Sequence, residues 1–157
     1  MDKFSKQRRS EIMSKIRSKD TRPEKVVRSA LHALGFRFRL HREGLPGKPD
    51  VVLAKWKAVI LIHGCFWHGC PSCDRGRRVP KTTTAFWVKK VAENQRRDAT
   101  VRAAMESRGW RVIVVWACET RNAQHLAQRL GEVRGVGGRS VEGRRSGRIK
   151  SASRETC

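Results

Sequence analysis

Apolar positions along the chain change period several times, and each change marks an element. Val26, Val27, Ala30, Leu31 and Leu34 recur at helical spacing, which gives residues 22–34 one apolar face. Thr21 with Glu24 three places on makes a capping-box start, and Gly35 a stop. FRFRL, residues 36–40, alternates as a half-buried strand does. After the Gly- and Pro-rich loop GLPGKPD come VVLA and AVILIHG, short β-rich apolar runs separated by KWK, which predict neighbouring buried strands. TTTAFW opens a long helix running to about Arg108, before Gly109. Its expected buried stripe is Val88, Val91, Ala92, Ala99 and Ala103, interrupted by Gln95. WRVIVVW, residues 110–116, predicts another central strand, and TRNAQHLAQRL, residues 120–130, a last helix. Helix, strands, long helix, strand and helix in that order predict an α/β sandwich.

The ends break this pattern. Residues 1–20 read as a basic, weakly helical arm with apolar Ile12, Met13 and Ile16. From Gly131 the chain turns to Gly, Arg and Ser with almost no apolar periodicity, the composition of a disordered tail. The expected organisation is an arm over 1–20, one domain over 21–130 and a basic tail over 131–157.

Charge narrows the partner. The chain carries 36 Lys and Arg against 14 Asp and Glu, a net +22. Residues 131–157 hold seven basic and three acidic side chains, so residues 1–130 still carry +18. A folded domain that basic repels itself unless it meets a polyanion, and nucleic acid is the leading candidate. No apolar run approaches spanning length, so no membrane association is expected. The N-terminal segment lacks a secretory signal, which places the expected location in a reducing cytoplasm, where clustered cysteines favour metal over disulfides.

HGCFWHGCPSC, residues 63–73, gathers three cysteines, two histidines and an adjacent Phe-Trp pair into eleven residues. Cys65, Cys70 and Cys73 offer three thiolates, and a closed structural zinc site needs a fourth ligand. Cys118 is the candidate. If strands 58–63 and 111–116 are adjacent and parallel, their C-terminal ends reach the same edge. His63 or His68 could replace one thiolate. Cys157 is left over in the tail as a free thiol. Four thiolates leave zinc no open position, so this site would stiffen a loop and any catalytic metal lies elsewhere.

Gly47-Lys48-Pro49-Asp50 leads into a buried strand and then AVILIHG, which resembles the active-site hairpin of restriction-endonuclease-like nucleases. The usual Asp/Glu-x-Lys of the second strand is missing, and Leu61-Ile62-His63 stands in its region. With HGCFWH, the downstream FW and WRVIVVWAC, the chain resembles the very short patch repair (Vsr) DNA mismatch endonucleases from about Arg17 to Leu130. The family usually has a histidine among its zinc ligands where this chain has Cys70.

The resemblance implies a single restriction-endonuclease-like domain, with a central mixed sheet flanked by helices and a structural zinc. It implies Mg²⁺-dependent nicking of the T-containing strand at T·G mismatches, which arise when 5-methylcytosine deaminates. The implied protein is a monomer on double-stranded DNA in a bacterial-type, nucleoid-associated setting, with possible mismatch-repair partner proteins.

Asp50 would be the one protein carboxylate on Mg²⁺, a hard cation that takes oxygen ligands. The Ile62 backbone carbonyl is the second protein ligand by resemblance. His68 would deprotonate the attacking water, a role that suits an imidazole, and His63 would sit beside the scissile phosphate. Glu24 is implied near a metal-bound water, although its spacing from Thr21 equally makes it a helix cap. Asp98 is implied to contact the active-site histidine.

Phe66, Trp67 and Trp87 would form the wedge that opens the weakly stacked mismatch. Trp87, Asn94 and Asp98 fall within roughly 40° of one another on a helix, which suggests a DNA-facing flank off the apolar stripe. Met13 and Ile16 of the arm would reach the opposite groove, and the remaining cations would contact phosphates. Two alternatives stay open on sequence alone, a non-catalytic zinc-bearing nucleic-acid binding module and a restriction-type nuclease on intact duplex.

Overall fold

A computed structural model describes residues 5–15, 19–81 and 83–135. Ile16, Cys157 and the rest of the tail from residue 136 lie outside these described residues, as does the Met13 side chain. Two N-terminal helices, α1 (Lys6–Ser14) and α2 (Arg22–Ala33), precede strands β1 (Arg39–Leu40), β2 (Val51–Leu53) and β3 (Ala58–His63). Two one-turn helices, α3 (Cys65–His68) and α4 (Asp74–Arg77), lead to the long α5 (Thr84–Ser107), then β4 (Arg111–Trp116) and α6 (Ala123–Gly135). The strands form one mixed sheet in the order β1-β2-β3-β4, antiparallel except for the parallel β3–β4 pair. No helix among the described residues is long and apolar enough to cross a membrane.

Alternation sorts the sheet into two faces. Val51, Leu53, Ala58, Ile60 and Val115 pack with Val27 and Leu31 of α2 and Leu126, Leu130 and Val133 of α6. Val52 and Val59 face the other way, onto Met105 of α5. The result is a three-layer α/β sandwich.

Four expectations need correction. FRFRL contributes only Arg39 and Leu40 to the sheet. Its partner β2 is three residues long, bounded by Pro49 and by a 3₁₀ turn over Ala54–Trp56. Phe36 is nonetheless 2% exposed and packs against Trp56. β4 is an edge strand among the described residues rather than a central one. Its Val114 carbonyl accepts from the Arg129 guanidinium of α6 at 3.3 Å, so a side chain meets the edge where a strand was expected. α6 begins at Ala123 and continues past Leu130 to Gly135, carrying Val133 into the core at 1% exposure. The folded part therefore extends into the stretch assigned to the tail.

The fourth correction concerns α5. Its inward face is Trp87, Val91, Asn94, Asp98, Val101 and Met105, at alternating four- and three-residue spacing. Ala92, Ala99 and Ala103 of the expected stripe are exposed, as is Val88. Small alanines carry little burial energy, and the inward face follows what it meets: the sheet at Met105, the loop before β2 at Val101, and α3 at Asn94 and Asp98. Gly47 in that loop has φ +67°, and a Cβ there would lie 2.3 Å from Val101 Cγ1. Glycine is therefore required for the loop carrying Pro49 and Asp50 to lie against α5.

Candidate catalytic and metal-binding site

The site forms where β3 outruns β2. Asp50 Oδ2 accepts the Ile62 N–H at 2.7 Å, holding the strand where the ladder ends. Extending the β2–β3 register two places sets Ile62 opposite Pro49. Proline has no N–H to give the Ile62 carbonyl, which points to the same side as the Ile62 N–H. Two oxygen donors, carboxylate and carbonyl, thus converge on one edge. Burial raises the Asp50 pKa, the Ile62 N–H partly offsets this, Glu24 adds to it and His41 opposes it. A cation beside the carboxylate would reverse the shift, so the pair suits a hard metal ion.

One residue on, His63 points to the opposite face of β3. It is 8% exposed, stacks on His68 with ring centroids 4.1 Å apart, and meets Trp116 edge-on. His68, the last residue of α3, donates from Nδ1 to Asp98 Oδ2 at 2.5 Å. His63 Nδ1 stands 3.9 Å from the same oxygen. Asp50 is thus hydrogen-bonded to Ile62, and the next residue along the chain, His63, stacks on His68 of the His68–Asp98 pair. A cleft of about 530 Å³, lined in part by Leu61, His63, His68, Asp98 and Trp116, gives solvent access to the histidines.

Burial, reinforced by His68 and Arg97 and opposed by Asp98, lowers His63 to about 4. His63 is therefore neutral in the folded chain at neutral pH. A depressed histidine contributes stability that is present above its ordinary pKa of 6.5 and is lost as pH falls from 6.5 through about 4. Ring-carbon NMR shifts of His63 are expected to stay in the neutral form from pH 7 down to about 5. A midpoint near the ordinary histidine value would contradict the buried, stacked placement.

The sulfurs of Cys65, Cys70, Cys73 and Cys118 all lie within 4.8 Å of one another. The parallel β3–β4 pair explains the meeting: His63 and Trp116 are register partners, and each strand then releases a cysteine two residues on. A tetrahedral ion with metal–sulfur bonds of about 2.3 Å spaces its ligands by about 3.8 Å, and Cys70 Sγ and Cys118 Sγ are 3.8 Å apart. Burial raises Cys65, and burial with the neighbouring thiols pushes Cys118 up to about 12. Cys73 is lowered, chiefly by the Gly76 N–H at the start of α4. A Cβ at Gly76 would lie 2.1 Å from the Cys70 carbonyl oxygen, so glycine lets α4 close over the cluster. Neither His63 nor His68 substitutes for a thiolate here; both belong to the Asp98 cluster.

Phe66, Trp67 and Trp87 form a mutual edge-to-face cluster with centroids 5.2–5.5 Å apart. All three are half-buried against one another. Phe86, given no role from sequence, abuts Trp87 and is 59% exposed, the most exposed large apolar side chain among the described residues. Asn94, expected on a DNA-facing flank, meets the protein itself. It is 7% exposed and donates to the Trp67 carbonyl at 2.8 Å, so it supports the aromatic loop from behind. Gln95, read as an interruption of a stripe, donates to the His68 carbonyl at 3.2 Å. The signal available in sequence was the heptad spacing from Trp87 to Met105, which puts polar side chains on an inward face.

Glu24 is used as a cap. Its Oε1 accepts from the Thr21 hydroxyl at 2.7 Å and the Thr21 N–H at 3.4 Å, while Oε2 accepts from Asp20 N–H and Arg28, each at 3.0 Å. Its charge also reaches Asp50, so capping residue and candidate metal carboxylate sit at one edge.

Comparison with known proteins gives a consistent picture. A family model described as DNA mismatch endonuclease Vsr matches residues 1–75. The chain is 48% identical over 129 residues to the type II nicking enzyme V.XorIIP of Xanthomonas oryzae pv. oryzae, covering 82% of this chain and 93% of that protein. It is 46% identical over 129 residues to the type II nicking enzyme V.NmeAIP of Neisseria meningitidis serogroup A, covering 82% and 91%. It is also 39% identical over 125 residues to the DNA mismatch endonuclease Vsr of Escherichia coli K12, covering 80% and 79%.

Proposed function

Because the chain belongs to the Vsr family of DNA mismatch endonucleases, hydrolases acting on DNA, we propose that it nicks the T-containing strand of T·G mismatches in an Mg²⁺-dependent reaction. The observation that carries this reading is the linkage from Asp50 through Ile62 and His63 to the His68–Asp98 pair. Asp98 takes the Nδ1 hydrogen of His68, which leaves Nε2 with a lone pair facing away from the carboxylate. Nε2 accepts the proton of a water as its oxygen attacks phosphorus, and the bond from phosphorus to the leaving sugar oxygen breaks. Asp98 stabilises the imidazolium so formed, as an orienting carboxylate does.

Asp50 and the Ile62 carbonyl would hold Mg²⁺, which when bound supplies Lewis-acid stabilisation of the phosphoryl oxygens. His63, neutral in the free protein, offers a hydrogen bond to the phosphate, whose negative charge opposes the depression of its pKa. The four cysteines would hold a structural zinc that fixes the segment between His63 and α4. Phe66, Trp67 and Trp87 form the wedge, with exposed Phe86 extending it. The basic residues of a monomer would neutralise phosphates along the duplex, within a restriction-endonuclease-like domain working in the cytoplasm.

Purified protein with Mg²⁺ and zinc, given duplexes labelled separately on each strand, is expected to cut the T strand of T·G duplexes well above any fully paired control. Equal rates on paired DNA would favour a restriction-type nuclease, and cutting of the G strand would overturn the strand assignment.

A further inference from the structure

Two adjacent amide side chains of α5 hold two adjacent carbonyls of α3. Asn94 Nδ2 donates to the Trp67 carbonyl at 2.8 Å, and Gln95 Nε2 to the His68 carbonyl at 3.2 Å. Asp98, three residues further along, accepts from the His68 ring. A one-turn helix leaves its last carbonyls without intrahelical donors. In α3 the His68 N–H bonds to Gly64, and the Gly69 and Cys70 N–H groups both bond to Cys65, while the Trp67 and His68 carbonyls turn to α5. Arg97 donates to Asn94 Oδ1 at 3.5 Å, which aims the amide NH₂ at Trp67. Gly69 permits the approach: its φ is +64°, and a Cβ there would lie 2.6 Å from Gln95 Nε2.

We infer that Asn94 and Gln95 are positioning residues that lock the His68 backbone while Asp98 fixes its ring, tying the seating of Trp67 to the alignment of the proton acceptor. Trp67 and His68 are neighbours in one turn, and their carbonyls are held by neighbours on one rigid helix. A displacement of the wedge on DNA therefore shifts His68 relative to Asp98 unless both amide bonds hold. Misplacing a reacting group by about 1 Å costs on the order of 10²-fold in rate. This inference rests on the nicking reaction proposed above.

The test is single-turnover nicking of a T·G duplex at saturating protein, with duplex affinity and bound zinc measured on the same samples. Gln95→Leu removes an exposed donor and is expected to slow nicking by about tenfold. Asn94→Asp turns a buried donor into an acceptor and is expected to slow it by about 10²-fold. In Gln95→Leu, affinity and zinc content stay as in the starting protein. Gln95→Lys, which can still donate to the His68 carbonyl, recovers most of the loss. Combining Gln95→Leu with Asp98→Asn slows nicking by less than the product of the single effects, because both act through His68. If Asn94→Asp fails to fold, the exposed Gln95 variants carry the test alone. Wild-type rates in Gln95→Leu, or strictly multiplicative effects with Asp98→Asn, would overturn the positioning role while leaving the reaction intact. A wild-type protein that cuts no mismatched duplex would overturn the reaction, and this inference with it.

Discussion

Asp50→Asn is expected to reduce nicking by about 10³-fold or more while leaving duplex affinity nearly unchanged. Losing the one carboxylate on a catalytic cation removes several kcal/mol of charge stabilisation, and about 4 kcal/mol corresponds to roughly 10³ in rate. Asparagine is the informative replacement because its carbonyl can still accept the Ile62 N–H that Asp50 holds at 2.7 Å. The strand end then stays capped and only the charge is lost. His68→Ala should lose about 10² to 10⁴, the usual contribution of a positioned general base. Both variants should bind duplex, because binding is carried by other cations spread over a chain of net charge +22. Asp50→Asn retaining activity within about tenfold of wild type would sink the metal-carboxylate role. A protein in which neither change matters, and which never cuts, would be the non-catalytic binding module.

Stripping the cation from the cysteine cluster, or introducing Cys118→Ala, is expected to lower the thermal midpoint by about 10 °C or more. Structural zinc contributes about 10–16 kcal/mol in isolated finger peptides. Even about 4 kcal/mol of that in a chain of this size corresponds to roughly 10 °C. The four sulfurs join residues 65–73 to residue 118, and without a cation that staple is lost. Burial holds Cys65 and Cys118 above the ordinary thiol range. A cation must therefore displace protons on entering, so zinc uptake at neutral pH releases protons and affinity falls on acidification. One zinc per chain is expected by elemental analysis, retained in Cys157→Ala and lost in Cys118→Ala. Zinc lost with Cys157 and kept without Cys118 would place the ligand set elsewhere.

Much of this centre could be read from sequence because its residues are close together along the chain. His63, Cys65, Phe66, Trp67, His68, Cys70 and Cys73 share one short loop, and the β-rich runs before it and at 111–116 dictated the parallel pair that delivers Cys118. α5 was legible in extent but not in facing. Counting apolar residues favours alanines, whereas Asn94 and Asp98 turn inward because α3 supplies a carbonyl and an imidazole to meet them. Hydropathy has no term for a polar group whose partner lies 27 or 30 residues away. The short β1 and the edge position of β4 were hidden for a related reason: how many partners a strand finds depends on its neighbours' lengths as well as on its own composition.

Parallel pairing of β3 with β4 also sets an order of assembly. During synthesis from the N-terminus, Asp50, His63, His68 and Asp98 all emerge before the strand that aligns with β3 and before the fourth sulfur. A chain halted between Asp98 and Cys118 owns every candidate reacting group yet lacks the fourth sulfur that would fasten their loop. On the proposed mechanism, unfinished copies would stay blunt until the last strand is in place.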